Sequence, residues 1–449
     1  QLPVVNILIV AAEVSESVDQ SMTTKQEKPT LAGVTLKTRK RNIVVPVDPA
    51  SFANAVVAIC QDSADAAGAT TAQEELTAAC KELENDSNLE FSRYGDTLFE
   101  VFFAGGMIAA GGKYVDEKSP KLKTHILLAH PSHEAILPFV KVFASMTRRR
   151  PFLIRGLENT LIKLLLTMEF FDTEKRKKIA IAMALIFANK IAVVPENVFS
   201  KCFNDRLVTK GTMLEFMTLF FQEFTSIQGI STDDLVSLLV KSKISSRLLD
   251  LFPPLNRSYD EFNRHFNDAG LSDLVLWNSK EIMALKINDL LTSLTDAVSG
   301  EPPASCADAI ALSKSRVDEF SIPKEEVVRV SWLALMASIN VTGKNQQQIL
   351  QAIVALIKKY HKLLSTWVTS GKLELQLLTT IQCHCYEDNR LLKIFTDIVR
   401  MLYDADILNE DTIMHWYKKG SHPKGRNVFL KDAETFIHWL EEAEEDETV

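Results

Sequence analysis

Apolar residues recur at helical spacing along almost the whole chain from about residue 51 onward. In the first such stretch, Phe52, Val56 and Cys60 fall on one face of a helix, because residues four positions apart lie above one another on its surface. A later stretch, Leu89–Gly106, ends in two glycines, and glycine directly after the last apolar position is the usual helix stop. The pattern predicts an all-α protein.

The helices follow one another as pairs of similar length, which is typical of an α-solenoid of the HEAT type. No regular sequence period accompanies them, so this prediction depends on the succession of elements alone. One stretch has a different pattern, because Lys372–Leu377 alternates polar and apolar residues as a strand does. It is short and has no partner run nearby, and we therefore interpret it as the start of a helix.

Three parts make up the predicted domain organisation. Residues 1–48 are a disordered leader, since the polar stretch 22–48 offers little to fold around. Within it, residues 1–21 are expected to lie outside the native protein, because Met22 is a natural start. Residues 49–279 form a first helical domain and residues 280–447 a second. The Gly- and Pro-containing stretch Ser299–Ser305 is either a linker or a long loop.

Composition limits the class of protein. The chain is 46% apolar and 24% charged, the mixture found in soluble globular proteins. Apolar runs such as Ile179–Ala188 are far below the ~20 residues that a membrane span needs, so no membrane association is expected. Six cysteines occur without a CxxC pair, which suits free thiols in a reducing compartment. We predict a cytoplasmic protein.

Signals for catalysis or metal binding are weak. The run Cys383-His384-Cys385 lacks a second Cys/His pair at zinc-finger spacing, so we interpret these thiols as buried and predict no metal. The run from His130 to His133 is interpreted as a helix-start turn. Because no Ser/His/Asp signature, HExxH or nucleotide-binding loop appears, we predict no cofactor and no enzymatic activity.

Basic residues concentrate in two places. The leader carries Lys37–Arg41, which is either a localisation or RNA-contacting patch or a solvated run. From Thr147 to Lys178 there are nine bases and four acids. This second region could contact RNA or an acidic partner, or be a merely solvated basic face. Its candidate contact residues are Arg148, Arg149, Arg150, Lys175, Arg176, Lys177 and Lys178.

Acidic residues concentrate at the C-terminus. The segment Leu402–Glu447 holds twelve acids and five bases, a net charge of −7 in a chain of net charge −8. Asn409 is expected to cap a helix, and the acids after Glu441 lie at the end of the last helix, where they oppose its dipole. Such acids do not serve helix stability. Either they only increase solubility or they bind a partner that carries lysine runs.

Five segments resemble the initiation factor 5 mimic proteins. The first three are EKPTLAGVTLKTRKR (Glu27–Arg41), RYGDTLFEVFFAGGMIAAGG (Arg93–Gly112) and RLLDLFPPLNRSYDEFNRHFNDAGL (Arg247–Leu271). The other two, LYDADILNEDTIMHWY and FIHWLEEAEEDE, resemble the paired aromatic/acidic boxes of a domain shared by initiation factor 5, the epsilon subunit of initiation factor 2B and the initiation factor 4G group.

The resemblance implies two HEAT-like domains and a regulator of translation initiation that is not an enzyme. Its C-terminal domain would bind lysine-rich segments of the beta subunit of initiation factor 2 and also the initiation factor 3 complex. It would thereby compete with initiation factor 5 and affect start-codon selection. The zinc ribbon of initiation factor 5 is not expected here, because the chain has no CxxC, and no heptads support a leucine zipper. The runner-up hypothesis is a general HEAT scaffold that uses the basic region 147–178 to bind RNA or another protein.

The resemblance also implies a set of partner-binding residues, with the aromatic members mainly as scaffold and the acids mainly as contacts. The first box contributes Tyr403, Asp404, Asp406, Glu410, Asp411, Trp416 and Tyr417, and the second contributes Trp439, Glu441, Glu442, Glu444 and Glu445.

Overall fold

The computed structural model describes residues 30–31, 34–35 and 48–447, with side chains from residue 48 to residue 442. Most of the predicted leader, including 1–21 and the run Lys37–Arg41, lies outside these residues. Inside the leader, strands β1 (Thr30–Leu31) and β2 (Val34–Thr35) pair antiparallel. A strand pair was not expected in that polar stretch.

The described chain from residue 49 onward is helical, which confirms the predicted all-α class. Its helices are α1 (Pro49–Ala67), α2 (Ala72–Asn85), α3 (Gly95–Ala104), α4 (His133–Arg149), α5 (Leu153–Leu166), α6 (Thr173–Ala188), α7 (Pro195–Phe199), α8 (Asp205–Thr209), α9 (Thr212–Thr225), α10 (Thr232–Lys241), α11 (Tyr259–Asp268), α12 (Ser272–Ser299), α13 (Cys306–Phe320), α14 (Lys324–Ala337), α15 (Gln346–Trp367), α16 (Gly371–Glu387), α17 (Phe395–Asp404), α18 (Glu410–His415) and α19 (Arg426–Glu447). Short 3-10 turns lie at Met168–Phe170, Ser200–Phe203, Ser245–Leu251, Pro254–Asn256 and Leu392–Ile394, and a π-helical turn at Trp416–Gly420.

Alternate helices pack side by side in two rows, the arrangement of an α-solenoid. In the first part of the chain, α2, α4, α6 and α9 form one row, and α3, α5 and α7 form the other. In the second part the rows are α12, α14, α16 and α18 against α13, α15, α17 and α19. No helix of the described chain is both long and apolar enough to cross a membrane.

Sequence signals at the helix ends explain several boundaries. Ser231 caps α10 in a reciprocal box with Asp234, as its hydroxyl and the first-turn acids predict. Gly105 ends α3 in the left-handed conformation at φ 82°, which glycine adopts without a Cβ penalty. Ser132 accepts a hydrogen bond from the Ala135 amide at 3.4 Å, so the predicted helix-start turn begins α4. The alternating stretch Lys372–Leu377 lies in α16 and is helical as interpreted.

Two hydrophobic cores lie along the chain, and α12 contributes to both. The first core includes residues from Phe52 to Val275, and the second includes residues from Leu290 to Leu440. Helix α12 buries Leu274 and Val275 in the first core and Leu290 and Leu294 in the second. The boundary that we place at residues 279 and 280 falls inside this helix and remains a prediction. The stretch Ser299–Ser305 begins with the last residue of α12 and continues as a short loop, residues 300–305, that leads to α13.

Candidate partner-binding site at the acidic end

The first acidic box is built around a buried tryptophan. Trp416 is 1% exposed and packs its ring against Phe395 at a centroid distance of 5.3 Å. It begins the π-helical turn Trp416–Gly420, in which Tyr417 is half-buried and packs against the second core. These two aromatic side chains therefore lie where the scaffold role predicts them.

A buried glutamine holds this tryptophan and the following link in place. The Gln382 side-chain oxygen accepts hydrogen bonds from Trp416 Nε1 at 2.9 Å and from the His422 amide at 3.1 Å. Its nitrogen donates to the carbonyl oxygens of His422 at 2.8 Å and Lys424 at 2.7 Å. All four bonding positions of the amide are thus used, and α16 fixes the chain that joins the two boxes.

Sequence reasoning missed Gln382, although a signal was present. Leu378, Ile381 and Cys385 form an apolar stripe on α16, and Gln382 occupies a fourth position of that stripe. A polar residue within an apolar helical stripe has to find hydrogen-bond partners when it is buried. The pattern could therefore have indicated a buried polar contact, but not which residues make it.

A buried carboxylate orients the start of α18. Glu374 is 5% exposed and accepts hydrogen bonds from the Asn409 backbone amide at 2.7 Å and from its side-chain nitrogen at 2.8 Å. Asn409 occupies the predicted cap position with extended backbone, but its side chain makes no capping hydrogen bond to α18. The expected cap is thus not made, and the Asn409 amide groups instead donate to the Glu374 carboxylate of α16, which fixes the side-chain orientation.

Aromatic side chains connect the two boxes at the surface. Tyr403 of the first box lies edge-on to Phe436 and Trp439 of the second, with ring centroids 6.2 and 6.3 Å apart. Phe436 is buried, whereas Trp439 is 45% exposed. The guanidinium of Arg400 lies 5.5 Å from the centre of the Trp439 ring. Trp439 is thus less buried than a purely scaffolding role requires.

None of the described acidic side chains of the two boxes is fully buried. Asp404, Asp406 and Asp411 are exposed and Glu410 is half-buried. Glu441 and Glu442 are exposed on α19, where Glu441 lies 3.7 Å from Lys418 and Glu442 lies 3.3 Å from His438. The side chains of Glu444 and Glu445 lie outside the described ones. Both boxes therefore present carboxylates at the same end of the second core.

The basic run at the end of α4 is largely occupied by contacts within the protein. Arg149 pairs with Glu84 at 3.3 Å. Arg150 donates hydrogen bonds to the carbonyl oxygens of Leu83, Glu84 and Asp86, and so closes the C-terminus of α2. Within the described chain, Arg148 is the member of this run for which no ion pair or hydrogen bond is seen.

The basic run at the start of α6 also forms ion pairs within the protein, and it lies away from the arginines at the end of α4. Its four members contact acids: Lys175 with Asp172, Arg176 with Glu215, Lys177 with Glu223 and Lys178 with Glu174.

The Glu223 carboxylate that contacts Lys177 also contacts His133, the first residue of α4. The arginines at the other end of α4 are about 24 Å further along that helix, at 1.5 Å per residue. The structure therefore does not bring the two basic runs into one surface. The reason is that the chain after α4 turns back, so that the run in α6 lies near the start of α4 and the arginines lie at its end.

Of the two thiols predicted to be buried in the Cys383-His384-Cys385 run, Cys385 is buried in the second core, whereas Cys383 is only half-buried. Burial raises the pKa of the Cys385 thiol to about 12 and lowers the pKa of His384. The Nδ1 atom of His384 accepts a hydrogen bond from Trp332 Nε1 at 3.2 Å, so that nitrogen is unprotonated. Among the described residues, no group of three His, Cys, Asp or Glu side chains could hold a metal ion.

Comparisons with known proteins match two separate parts of the chain to family models. Residues 36–287 match the family model described as the 5MP1/2 HEAT domain, and residues 373–448 match the W2 model, described as eIF4-gamma/eIF5/eIF2-epsilon. Human eIF5-mimic protein 2 is 31% identical over 425 residues, covering 94% of this chain and 97% of its own length. Chicken (Gallus gallus) eIF5-mimic protein 2 is 30% identical over 428 residues, covering 95% and 98% respectively. Mouse (Mus musculus) eIF5-mimic protein 1 is 30% identical over 425 residues, covering 94% and 98% respectively.

Proposed function

This chain belongs to the eIF5-mimic protein family, and from that premise we propose that it regulates translation initiation by competitive binding and not by catalysis. Its acidic end would bind lysine-rich segments of the beta subunit of initiation factor 2, and also the initiation factor 3 complex. Occupying these sites would exclude initiation factor 5 and thereby affect start-codon selection. The protein would act in the cytoplasm, in contact with preinitiation complexes.

The observation that carries this proposal is the set of exposed carboxylates fixed on a buried scaffold. Asp404, Asp406, Glu441 and Glu442 are exposed at one end of the second core. Behind them, Trp416 and Gln382 are fully buried and hydrogen-bonded to each other. A fixed set of negative charges attracts a lysine-rich segment at long range, and the attraction weakens as salt screens it.

The runner-up function, RNA binding through the basic region 147–178, receives less support from the geometry. A surface that binds a phosphate backbone presents cations that are free to neutralise phosphates. Here Arg150 donates to backbone carbonyl groups and Lys178 is buried, with its ammonium group on Glu174 and the Leu127 carbonyl. We therefore do not adopt this function.

Reversing the charge of the second box tests the proposal. We expect a variant that carries lysine in place of Glu441, Glu442, Glu444 and Glu445 to lose detectable binding to an oligolysine peptide at moderate salt. It should also stop competing with initiation factor 5 for the lysine-rich segments of the initiation factor 2 beta subunit. Isothermal titration and a competition pull-down measure the two effects.

A matched control separates the site from overall charge. Asp62, Asp65, Glu82 and Glu117 are exposed on helices and a loop of the first core, and reversing these four gives the same change in net charge. The control variant should bind oligolysine with an affinity within about threefold of the parent, because charges further away than a Debye length are screened. Equal affinities of both variants and the parent would refute the proposed site.

A further inference from the structure

The Trp439 side chain is not needed to complete the second hydrophobic core. It is 45% exposed, whereas Trp416 of the first box is 1% exposed. The apolar stripe of α19 is complete without it, because Phe429, Ala433 and Leu440 are buried in the second core. Because the side chain is half exposed, part of the indole surface is available to a partner, and an amphipathic aromatic side chain suits such a contact.

The surroundings of the Trp439 ring suit a cation. Phe436 lies parallel to it, with an interplanar angle of 15° at 6.0 Å, and Tyr403 meets it edge-on. These two neighbours hold the indole in one orientation. The Arg400 guanidinium already lies 5.5 Å from its ring centre, within the range at which the ring quadrupole attracts a positive charge. No carboxylate forms an ion pair with Arg400 in the described part of the chain.

Carboxylates are close in sequence to the aromatic residues of this cluster on both helices. Asp404 directly follows Tyr403, and Glu442 lies one helical turn after Trp439, on the same face of α19. A side chain with a long apolar stem and a positive end could therefore lay its stem on the indole and its charge near these acids. Lysine has that form.

We propose that Trp439 is a cation–π subsite for a lysine side chain of the partner, and that Arg400 occupies this subsite in the free protein. This inference deepens the proposed function and rests on it, because the ligand is the lysine-rich segment that the acidic end would bind. The partner lysine displaces the Arg400 guanidinium from the ring. Trp439 is then a specificity-determining contact, and Arg400 lowers the affinity of the site.

Substitutions at the ring provide the first test, with binding of an oligolysine peptide to the full chain as the measurement. Trp439→Leu should weaken binding roughly threefold to tenfold, the effect expected for one cation–π contact at an exposed site, and Trp439→Phe should weaken it less. Thermal unfolding of each variant reports whether the fold is kept. Affinity equal to that of the parent in folded Trp439→Leu would overturn the subsite.

Removing the internal cation provides the second test. Arg400→Ala should strengthen oligolysine binding, because it vacates the ring and also removes a positive charge. The matched control is Lys419→Ala, which removes one charge from the exposed link without touching the ring. Arg400→Ala should strengthen binding by roughly threefold more than Lys419→Ala does. An equal gain in both variants would show that Arg400 acts only through its charge.

A modified peptide separates the ring from the acids. Trimethyllysine keeps the positive charge but has no N–H donors, so it binds aromatic rings well and carboxylates poorly. The Trp439→Leu substitution should therefore reduce the affinity for oligotrimethyllysine by a larger factor than the affinity for oligolysine. An equal or smaller factor for the methylated peptide would overturn the subsite. Because the charge-reversed variant tests the acids separately, the subsite can fail while the proposed function stands.

Discussion

At the scale of single residues, the site depends on side chains that touch no partner. Gln382 joins α16 to Trp416 and to the link between the boxes through four hydrogen bonds. A buried amide whose donors and acceptors are all hydrogen-bonded costs little free energy, but removing it leaves several buried polar groups without hydrogen-bond partners. The position of the acids thus depends on a neutral residue some distance from them.

Replacing this amide should destabilise the fold. Gln382→Leu keeps a side chain of similar size but leaves the Trp416 Nε1 donor and two backbone carbonyl groups without their partner. We expect the free energy of unfolding to fall by about 2–4 kcal/mol, measured by urea titration. Gln347→Leu, at an exposed position of α15, should change it by less than about 0.5 kcal/mol. A similar small change at Gln382 would contradict the role described.

The residues that form the candidate site were partly predictable from the sequence. The aromatic and acidic character of the boxes is evident from residue types alone, and it indicates which side chains matter. Their contacts are not evident, because Gln382 and Trp416 lie 34 positions apart and no local pattern records such a pair. Asn409 shows the same limit, since its cap position follows from sequence but the Glu374 carboxylate that binds its amide groups comes from another helix.

At the scale of elements, close helix packing depends on a pair of glycines. A Cβ atom placed on Gly156 of α5 would lie 2.5 Å from the backbone carbon of Gly95 in α3. The two helices therefore approach nearly backbone to backbone. Thr160 of α5 uses this proximity to donate a hydrogen bond to the Asp96 carbonyl at 3.0 Å.

Enlarging one of these glycines should force the helices apart. We expect Gly156→Ala to lower the free energy of unfolding by about 2 kcal/mol or more, because the contacted atoms are backbone and cannot rotate away. Chemical denaturation followed by circular dichroism measures this. Gly111→Ala is the control, since a Cβ there would meet nothing within 4 Å. Equal stability of the two variants would show that α3 and α5 can separate without cost.

Element boundaries were predictable where a local signal sets them. The serine cap of α10 and the glycine stop of α3 depend on residues within one turn. Two irregularities were not predictable. The π-helical turn at Trp416–Gly420 and the non-helical backbone of Tyr360 inside α15 occur at buried aromatic side chains. Their position is set by partners such as Gln382 and the Ala304 carbonyl, which are remote in sequence.

At the scale of the whole molecule, the grouping of charged residues in space differs from their grouping along the sequence. The excess acid is at one end of the second core, whereas the bases of 147–178 are divided between the two ends of α4. Sequence counts identified the first arrangement, because the acids are held on neighbouring elements. They misrepresented the second, because Lys177 shares Glu223 with His133 at the start of α4, about 24 Å along that helix from Arg149.

Histidines in both cores should make stability depend on pH. Burial lowers the pKa of His125, His265 and His384 below the ordinary value of 6.5. Below that value the unfolded chain binds more protons than the folded one, so the free energy of unfolding falls as pH falls. The contribution of these neutral histidines to the free energy of unfolding is complete above pH 6.5, and it is lost as the pH falls through their folded-state pKa values.

His384→Asn should reduce this dependence, because asparagine offers Trp332 an acceptor oxygen that does not titrate. We expect urea midpoints of the variant to decrease less than those of the parent between neutral pH and the start of carboxyl protonation. Identical slopes in the two proteins would contradict a buried, neutral His384.

Helix α12 gives the two cores a shared rod of 28 residues, about 42 Å long at 1.5 Å per residue. Its middle, from residue 279 to residue 289, has no fully buried side chain, although the partly buried Met283 and Ile287 pack against the second core. That stretch therefore depends more on helix cooperativity than the two ends do. Amide hydrogen exchange in this stretch should therefore report on both cores at once. If either end of α12 loosens, the weakly packed part becomes longer. A disturbance of either core should therefore appear as faster amide exchange in the centre of α12.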